Sequence, residues 1–470
     1  MRTVHALVLV AITAAACGAP GAAPPAPPAP DPALPSRLVE EVTGDGALTH
    51  LTELQRIADA NGGNRALGTP GYDASVDHVV GVLRGAGYDV QTPTFTARRF
   101  DVQQERLVVG GEPVAVSALG FSPTTPGDGV TGPLAPMAGE GCNPADASAV
   151  PPGSVALVRR GTCTFAQKAA HAAAAGAAGL IVINNADEPL EDGTLGEAAT
   201  GVLPTGGVSR SAGDALAGRA GAPVTLTLVT TTQETQSRNV IAQTRTGNPD
   251  DVVVAGAHLD SVPEGPGVND NGSGVATLLE TAVHLGASPP VANAVRFAFW
   301  GAEEAGLVGS TAYVQGLPDE ELRRIALYLN LDMVGSPNAG YLVYDGDDSD
   351  HEGDGPGPPG SAAVERALVE GLAAAGVQAA GTDFSGRSDY GPFIGRGIPS
   401  GGLFTGAEEV KSPEEAQRWG GTAGEAYDRC YHQACDRLDT LDRTALDRNT
   451  DAFASALAHF ALSTDELAAG

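Results

Sequence analysis

The sequence predicts an α/β fold, with a central sheet covered by helices on both faces and a second domain of different composition. Three observations support this prediction. From residue 239 onward, apolar runs typical of buried strands alternate with helical patterns. Residues 116–232 instead alternate Gly, Ala and Pro with short Val and Leu runs. The length of 470 residues is enough for two or three folded units.

The charge balance excludes one large class of partners. Lys and Arg total 27 against 57 Asp and Glu, which gives a net charge of −30. Such a surface repels phosphate backbones, so we expect no nucleic-acid partner. Hydrophobic residues make up 42% of the chain, as expected for a folded protein with a sizeable core. After residue 16, no apolar run approaches the ~20 residues of a membrane span.

The first 17 residues have the layout of a signal peptide, because Arg2 precedes an apolar run that ends in small residues before Cys17. We therefore predict an exported, extracytoplasmic protein. Cys17 and the Pro/Ala-rich tether of residues 18–36 resemble a bacterial lipoprotein signal, in which the cysteine carries a lipid anchor. Ala14 stands where such signals usually have Leu, so ordinary secretion is an open alternative.

The other four cysteines form two local pairs, Cys142 with Cys163 and Cys430 with Cys435. An oxidising compartment would make both pairs disulfides. The pairs therefore support export, and lipidation of Cys17 would account for the odd fifth cysteine.

The first two segments carry clear helix and strand patterns. In residues 37–115, Asp73 is predicted to cap a helix that Gly85 and Gly87 end. Residues 116–232 are predicted to hold a β-α-β unit, with strands over 154–158 and 179–184 around an alanine-rich helix over 165–175.

Residues 233–467 complete the predicted central sheet. Its candidate strands cover 252–257, 295–300 and 325–330, and a helix with an apolar face from Val275 to Val283 lies between the first two. Ligands of α/β sheets bind at the carboxyl ends of the strands. Catalytic or metal-binding residues are therefore expected among the polar side chains at those ends.

Acidic and histidine side chains do follow these strand ends. Carboxylates that converge in an already acidic protein repel one another unless cations neutralise them, and carboxylates with imidazole suit zinc. Asp270, on a glycine-rich turn, could offer its two oxygens to two ions, and Asp260 could accept the second ring N–H of His258. The adjacent Glu303 and Glu304 could divide the work of general base and ligand. The full set is His258, Asp260, Asp270, Glu303, Glu304, Asp332, Tyr431 and His432.

Two resemblances extend this reading. The stretch 155–168, with the helix and strand that follow it, resembles the protease-associated domain, which is usually an insert beside a peptidase site. Residues 45–105 and 237–465 resemble the secreted bacterial dizinc leucine aminopeptidases. The matching motifs cover 62–65, 257–262, 269–274, 300–304, 330–336, 386–389, 402–406 and 430–436. The implied fold is a mixed, mostly parallel sheet of the zinc-peptidase/phosphorylase type, with a β-rich α/β insert at 116–232.

The second resemblance implies two Zn²⁺ ions and a role for each site residue. His258 and Asp332 would bind one zinc, Glu304 and His432 the other, and Asp270 would bridge them. Glu303 would be the general base for a water held between the ions, and Tyr431 would stabilise the oxyanion.

The same resemblance implies the substrate. Peptides with a free N-terminus would be bound through their amine by Glu303 and Asp332, and the enzyme would release large apolar residues such as Leu. The pocket for that first side chain would be an apolar cup formed by Met333, Gly386, Arg387 and Phe404.

Two departures from the family pattern concern other positions. Tyr390 follows Ser388-Asp389 where the family often has His, a position that is not an expected ligand. Close relatives also bind calcium near the C-terminus, where this chain has Asp447 but also Arg443. The acidic loop 345–354 is a second calcium candidate, although a solvated charged loop is the commoner case.

Other functions make different demands on the sequence. A dizinc carboxypeptidase on the same scaffold needs a basic pocket, for which Arg387 is the obvious candidate. A non-catalytic, receptor-like binding protein would have lost metal ligands, whereas all five and Glu303 are present. A serine hydrolase of the Gly-x-Ser-x-Gly type is excluded because that motif does not occur.

Overall fold

A computed structural model describes residues 29–187, 190, 193–196, 203–351, 353 and 355–469. The predicted signal peptide, with Cys17, and the first part of the tether lie outside these residues. The strands are β1 Asp89–Gln91, β2 Thr94–Val109, β3 Glu112–Val114, β4 Ser117–Ala118, β5 Val130–Pro136, β6 Val155–Arg159, β7 Gly179–Ile183, β8 Thr205–Val208, β9 Pro223–Arg238, β10 Val240–Gln243, β11 Asn248–His258, β12 Asn293–Trp300, β13 Ile325–Leu331, β14 Leu342–Tyr344, β15 Ala380–Thr382 and β16 Ser400–Phe404.

The helices alternate with these strands. No helix within the described residues is both long enough and apolar enough to cross a membrane. The α-helices are α1 Leu34–Glu41, α2 Gly44–Ala60, α3 Pro70–Gly85, α4 Phe165–Ala174, α5 Arg210–Ala217, α6 Gly274–Leu285, α7 Val308–Gly316, α8 Asp319–Leu322, α9 Ser361–Ala374, α10 Gly391–Ile394, α11 Pro413–Trp419 and α12 Arg443–Leu462.

The central sheet has the strand order β1-β10-β12-β11-β13-β16-β14-β15. Its middle strands, β12, β11, β13 and β16, run parallel, and antiparallel pairs join the outer strands on both sides. These parallel strands are the apolar runs found in the sequence. The predicted mixed, mostly parallel sheet is confirmed.

Helices cover both faces of this sheet because successive side chains of a strand point in opposite directions. Val253 and Ala255 of β11 pack into the larger core, which α1, α2, α3, α6, α9 and α12 complete. Val252 and Val254 face the other way, into a core shared with α7, α8 and α10. The expected two-sided arrangement is therefore present.

Helix α3 begins earlier than the sequence predicted. Its N-cap is Thr69, whose hydroxyl accepts a hydrogen bond from the backbone N–H of Tyr72. Pro70 occupies the first turn, where a missing N–H costs nothing. Asp73, the expected cap, lies inside that first turn, and the helix ends at Gly85 as predicted.

The second sheet has the strand order β3-β2-β9-β5-β6-β7-β8-β4 and belongs to the insert. The predicted β-α-β unit is β6, α4 and β7, with β6 and β7 parallel. Val158 and Val182 pack under α4, and Leu157 and Ile181 face α5. The insert therefore has helices on both faces of its own sheet.

Strands β2 and β9 form an antiparallel ribbon that links the two sheets. Each strand has 16 residues, and their pairing extends from Thr94 opposite Arg238 to Val109 opposite Val224. At the base of the ribbon, Phe95 packs in one apolar cluster with Leu67 and Ala302 of the domain that contains the central sheet. The insert is thus attached by a paired, packed element.

Candidate active site

The candidate site residues converge because they follow neighbouring strands of one sheet. His258 ends β11, the pair Glu303-Glu304 follows β12, and Asp332 follows β13. These strands are parallel neighbours, so their carboxyl ends meet at one edge.

Two further ligand candidates reach this edge from loops. Asp270 comes from the irregular turn Val268–Ser273, which precedes α6, and His432 lies between Cys430 and Cys435. The structure therefore brings together every metal-ligating residue that the sequence predicted.

The two oxygens of Asp270 face different histidines. Oδ1 lies 3.2 Å from His258 Nε2, and Oδ2 lies 3.2 Å from His432 Nε2. His258 Nε2 is also 3.3 Å from Asp332 Oδ1, and His432 Nε2 is 3.2 Å from Glu304 Oε2. The ligand atoms thus form two groups with Asp270 between them.

These separations fit zinc. Ligand atoms placed about 2.0–2.1 Å from a tetrahedral zinc ion are about 3.3 Å from one another. The buried Oε1 of Glu304 has no hydrogen-bond partner among the described residues, as expected of an oxygen reserved for an ion. Glu303 Oε2 lies farther out, at 4.0 Å from His258 Nε2.

The electrostatics of the site also favour cations. Burial raises the pKa of Glu303 well above its usual value and that of Glu304 to about 7. Burial opposes charge on His432, but hydrogen bonding to Asp270 and Glu304 outweighs it and raises the pKa of His432 to about 11. With more carboxylates than histidines, the site carries excess negative charge that bound cations would neutralise.

Asp260 makes contacts that differ from those expected. The ring Nδ1 of His258 lies 3.2 Å from the Asp260 carbonyl oxygen and 3.8 Å from its carboxylate. The carboxylate instead accepts hydrogen bonds from the backbone N–H groups of Glu303, at 3.1 Å, and Glu304, at 3.3 Å. Asp260 therefore holds the two glutamates in place, because each of its carboxylate oxygens accepts a hydrogen bond from one of their backbone N–H groups.

The residues expected to bind substrate line the same cleft as the metal ligands, which has a volume of about 990 Å³. Met333 is buried, whereas the guanidinium of Arg387 pairs with Glu408 at 3.2 Å. The expected apolar cup is therefore charged on one side. The ring of Tyr431 stacks on that of His432 with centroids 3.8 Å apart. Gly386 and Phe404 complete this part of the cleft.

Arg65 was quoted in a sequence motif but received no role. Its guanidinium is fully buried and donates hydrogen bonds to three carbonyl oxygens, those of Leu259, Pro266 and Gly267. Its backbone N–H donates to Ser261 Oγ at 2.9 Å. Arg65 thus fixes the loop between His258 and Asp270. Its burial, unusual for an arginine, is a property of the fold, so its place in the motif 62–65 is the signal that the sequence offers.

Two other supporting residues also escaped sequence reasoning. The carboxylate of Asp436 accepts hydrogen bonds from the backbone N–H groups of Asn269, at 2.7 Å, and Asp270, at 3.0 Å. Ser388 donates to Asp332 Oδ2 at 2.6 Å. Their partners are backbone groups or distant side chains, which sequence spacing does not reveal.

Tyr390, which departs from the family pattern, does not contact the metal ligands. Its buried hydroxyl accepts a hydrogen bond from the backbone N–H of Gly386 at 3.0 Å and so supports the substrate-pocket loop. The preceding Asp389 is buried, and burial raises its pKa to about 7.

The two calcium candidates have different surroundings. Carboxylate oxygens of Asp345, Asp347 and Glu365 lie within 4.8 Å of one another. Asp447 Oδ1 accepts a hydrogen bond from the backbone N–H of Gly44 at 2.9 Å. Calcium binding at either place stays a prediction.

Comparison with known proteins confirms the predicted relationship. The model of peptidase family M28 matches residues 239–457, and that of the PA domain matches residues 130–216. A Mycobacterium tuberculosis protein named "Probable lipoprotein aminopeptidase LpqL" is 54% identical over 90% of this chain and 86% of its own length.

Two solved structures agree. An aminopeptidase from Aneurinibacillus sp. strain AM-1 superposes with a TM-score of 0.76, at 27% identity, over 91% of this chain and 96% of that one. The zinc aminopeptidase BSAP from Bacillus subtilis gives a TM-score of 0.66 at 29% identity, over 90% and 96% of the two chains. The chain therefore belongs to peptidase family M28 and is a hydrolase with a PA domain, related along most of its length to aminopeptidases.

Proposed function

We propose that the enzyme uses two zinc ions to release N-terminal residues from peptides, preferably large apolar ones such as Leu. The observation that carries this proposal is the position of Asp270, whose two oxygens lie 3.2 Å from His258 and His432 respectively. A carboxylate between two imidazoles suits a bridge between two ions. The similarity of this chain to the zinc aminopeptidase BSAP from Bacillus subtilis supports the choice of zinc.

His258 and Asp332 would hold one ion, Glu304 and His432 would hold the other, and Asp270 would be shared between them. When bound, the ions supply Lewis-acid chemistry, which acidifies water and polarises the peptide carbonyl. The hydrogen bonds from Asn269 and Asp270 to Asp436 keep the bridging residue oriented.

Glu303 is the proposed general base. Its backbone is held by Asp260, its carboxylate lies beyond the closest ligand atoms, and burial raises its pKa. A raised pKa lets a carboxylate accept a proton from attacking water and return it to the leaving amine near neutral pH. Tyr431, which lines the cleft beside His432, would donate a hydrogen bond to the oxyanion.

The substrate's free amine would be bound by Glu303 and Asp332, which restricts cleavage to the first peptide bond. Met333, Phe404 and Gly386 line the cleft where the first side chain would lie. A carboxypeptidase is less well supported, because the guanidinium of Arg387 is already paired with Glu408. A receptor-like role is less well supported too, because the ligand atoms have zinc-like spacing.

We further propose that the enzyme works outside the cytoplasm, anchored by lipid at Cys17. Disulfides between Cys142 and Cys163 and between Cys430 and Cys435 suit an oxidising compartment. The similarity to a protein named as a lipoprotein aminopeptidase supports the anchor. Labelling with a radioactive fatty acid should mark the wild-type chain and leave the Cys17→Ser variant unlabelled.

The activity is tested with leucine p-nitroanilide and its N-acetylated counterpart, with zinc content measured on the same sample. We expect turnover of the free-amine substrate only, lost on chelation and restored by zinc. A fully zinc-loaded protein that cleaves neither substrate would contradict the aminopeptidase assignment and favour the carboxypeptidase. A protein that retains no metal would favour the receptor-like alternative.

A further inference from the structure

The cleft extends beyond the metal ligands onto the insert. Its volume of about 990 Å³ lies at the upper end of the ~300–1,000 Å³ of ligand pockets. An aminopeptidase holds only one residue on the N-terminal side of the cleaved bond. The rest of the cleft is therefore available to the part of the peptide that follows that bond.

Three apolar side chains line this remaining part of the cleft and are here called the insert wall: Phe100 and Val102 of the ribbon strand β2, and Phe121 of the insert. The rings of Phe100 and Phe121 have centroids 5.7 Å apart and are both partly exposed. Val102 is 43% exposed, which is uncommon for a large apolar side chain in this structure. Phe100 and Val102 share one face of β2 because they are two residues apart.

The charges near the insert wall are largely paired. The guanidinium of Arg99 lies 3.0 Å from the carboxylate of Asp101, and that of Arg98 lies 3.7 Å from Glu234. The wall therefore favours apolar side chains over acidic ones.

The wall is also held at a fixed position relative to the catalytic residues. Phe95 and Ala97, on the same strand, pack against Ala302, which directly precedes Glu303. The pairing of β2 with β9 continues past Phe100, which is opposite Thr232. Because this surface is already ordered, substrate binding does not carry the free-energy cost of ordering it.

We propose that the insert wall is a binding subsite for apolar side chains of the peptide on the C-terminal side of the cleaved bond. The proposal rests on the proposed aminopeptidase function. The residues expected to hold the first side chain, such as Met333 and Phe404, come from the catalytic domain. The insert would thereby select substrates by the residues that remain after cleavage.

The experiment compares kcat/KM for Leu-Phe-Phe with kcat/KM for Leu-Gly-Gly. The variants are Phe100→Ser and Phe121→Gly; glycine suits the latter position because Phe121 has a φ of 59°. Val102→Ser is a third variant, which removes a side chain too exposed to be required for folding. The matched control is Val283→Ser, which removes a 37% exposed side chain from α6. Zinc content and thermal unfolding are recorded for each protein.

We expect the wild type and the Val283→Ser variant to prefer Leu-Phe-Phe. The ratio of the two kcat/KM values should fall at least fivefold in Phe100→Ser and in Phe121→Gly, and at least twofold in Val102→Ser. An unchanged ratio in all three variants would overturn the proposal. The proposal would also be overturned if a variant of the insert wall changed the ratio of kcat/KM for leucinamide to kcat/KM for alaninamide. That result would place the wall around the first side chain of the substrate. A zinc-loaded wild type that cleaves none of these substrates would instead refute the aminopeptidase function itself.

Discussion

Glu303 and Glu304 are neighbours in sequence, yet their carboxylates have different surroundings. Glu304 Oε2 lies 3.2 Å from His432, whereas Glu303 Oε2 comes no closer than 4.0 Å to His258. The carboxylate of Asp260 accepts hydrogen bonds from the backbone N–H groups of both and holds both in place. That one glutamate binds metal while the other acts as general base stays a prediction, made because two adjacent carboxylates follow a strand end.

The substitution Glu303→Gln tests this division. We expect zinc content to stay near two ions per chain, because Glu303 is the proposed general base and is not among the proposed ligands. Turnover of leucine p-nitroanilide should fall by about 100- to 10,000-fold, the contribution typical of a general base. Metal analysis and kcat on the same sample check both outcomes, and loss of zinc would contradict the assignment.

The substitution Asp270→Ala tests the bridge. Because one carboxylate faces both histidines, its removal should weaken the binding of both zinc ions. Equilibrium dialysis should then find fewer than one zinc per chain. Asp73→Ala is the control, since that carboxylate is largely exposed and pairs with Arg238 instead of a ligand candidate. Retention of both ions with wild-type affinity would show that Asp270 is not shared.

Arg65 is one of the residues whose importance sequence reasoning missed. In Arg65→Met, three buried carbonyl oxygens lose their donors, at a cost of about 1–3 kcal/mol each. We expect urea unfolding to show a loss of at least ~3 kcal/mol. Arg56→Met, which removes an exposed arginine paired with Glu53, should change the free energy of unfolding by less than ~1 kcal/mol. Equal effects would show that the buried contacts are dispensable.

At the level of elements, the sequence predicted the strands and helices that carry a continuous apolar pattern and missed elements without one. The parallel strands and α6 were predictable because their burial leaves continuous apolar runs or a helical face. The ribbon of β2 and β9 was not predicted, because its middle part is largely exposed on both faces and breaks the alternation that Val224, Leu226 and Leu228 show at one end of β9. The start of α3 was misplaced although the pair Thr69-Pro70 is a recognised start signal.

Tyr431 and His432 lie in a short loop that the disulfide between Cys430 and Cys435 closes. In the double variant Cys430→Ala/Cys435→Ala, the loop gains freedom that zinc binding must then remove. We expect at least tenfold weaker binding of one zinc ion in a chelator competition. The matched variant Cys142→Ala/Cys163→Ala lies in the insert and should keep wild-type zinc affinity. Unchanged affinity in both would show that the loop is held by its other contacts.

Helix α9 carries Glu365, which gives one part of the stability a pH dependence. Burial, with the nearby Asp347 and Asp345, raises the pKa of Glu365 to about 7 from its usual 4.5. Between these values the folded chain holds a proton that the unfolded chain has released, so stability falls as pH rises.

The variant Glu365→Gln should remove that part of the pH dependence, because Gln also accepts the hydrogen bond from the Gly346 N–H. We expect its Tm relative to wild type to be higher at pH 8 than at pH 5. A Tm difference that is the same at both pH values would contradict this assignment.

At the scale of the whole molecule, the sequence predicted a catalytic domain with a second domain and placed the catalytic residues at strand ends. The resemblance to the protease-associated domain placed the insert beside the peptidase site, but the sequence did not predict which residues of the insert and ribbon line the cleft. That arrangement depends on how the ribbon packs against Leu67 and Ala302, and contacts between distant segments leave no local pattern.

The paired ribbon also bears on how this molecule could have been assembled. Its two strands leave and re-enter the catalytic domain side by side, and Ala97 is directly opposite Thr235. A two-residue turn such as Asn-Gly can join opposite residues of an antiparallel pair. The insert could therefore be gained, lost or exchanged at one point without shifting the register of any catalytic strand. Evolution could vary which peptides this scaffold accepts while leaving its chemistry untouched.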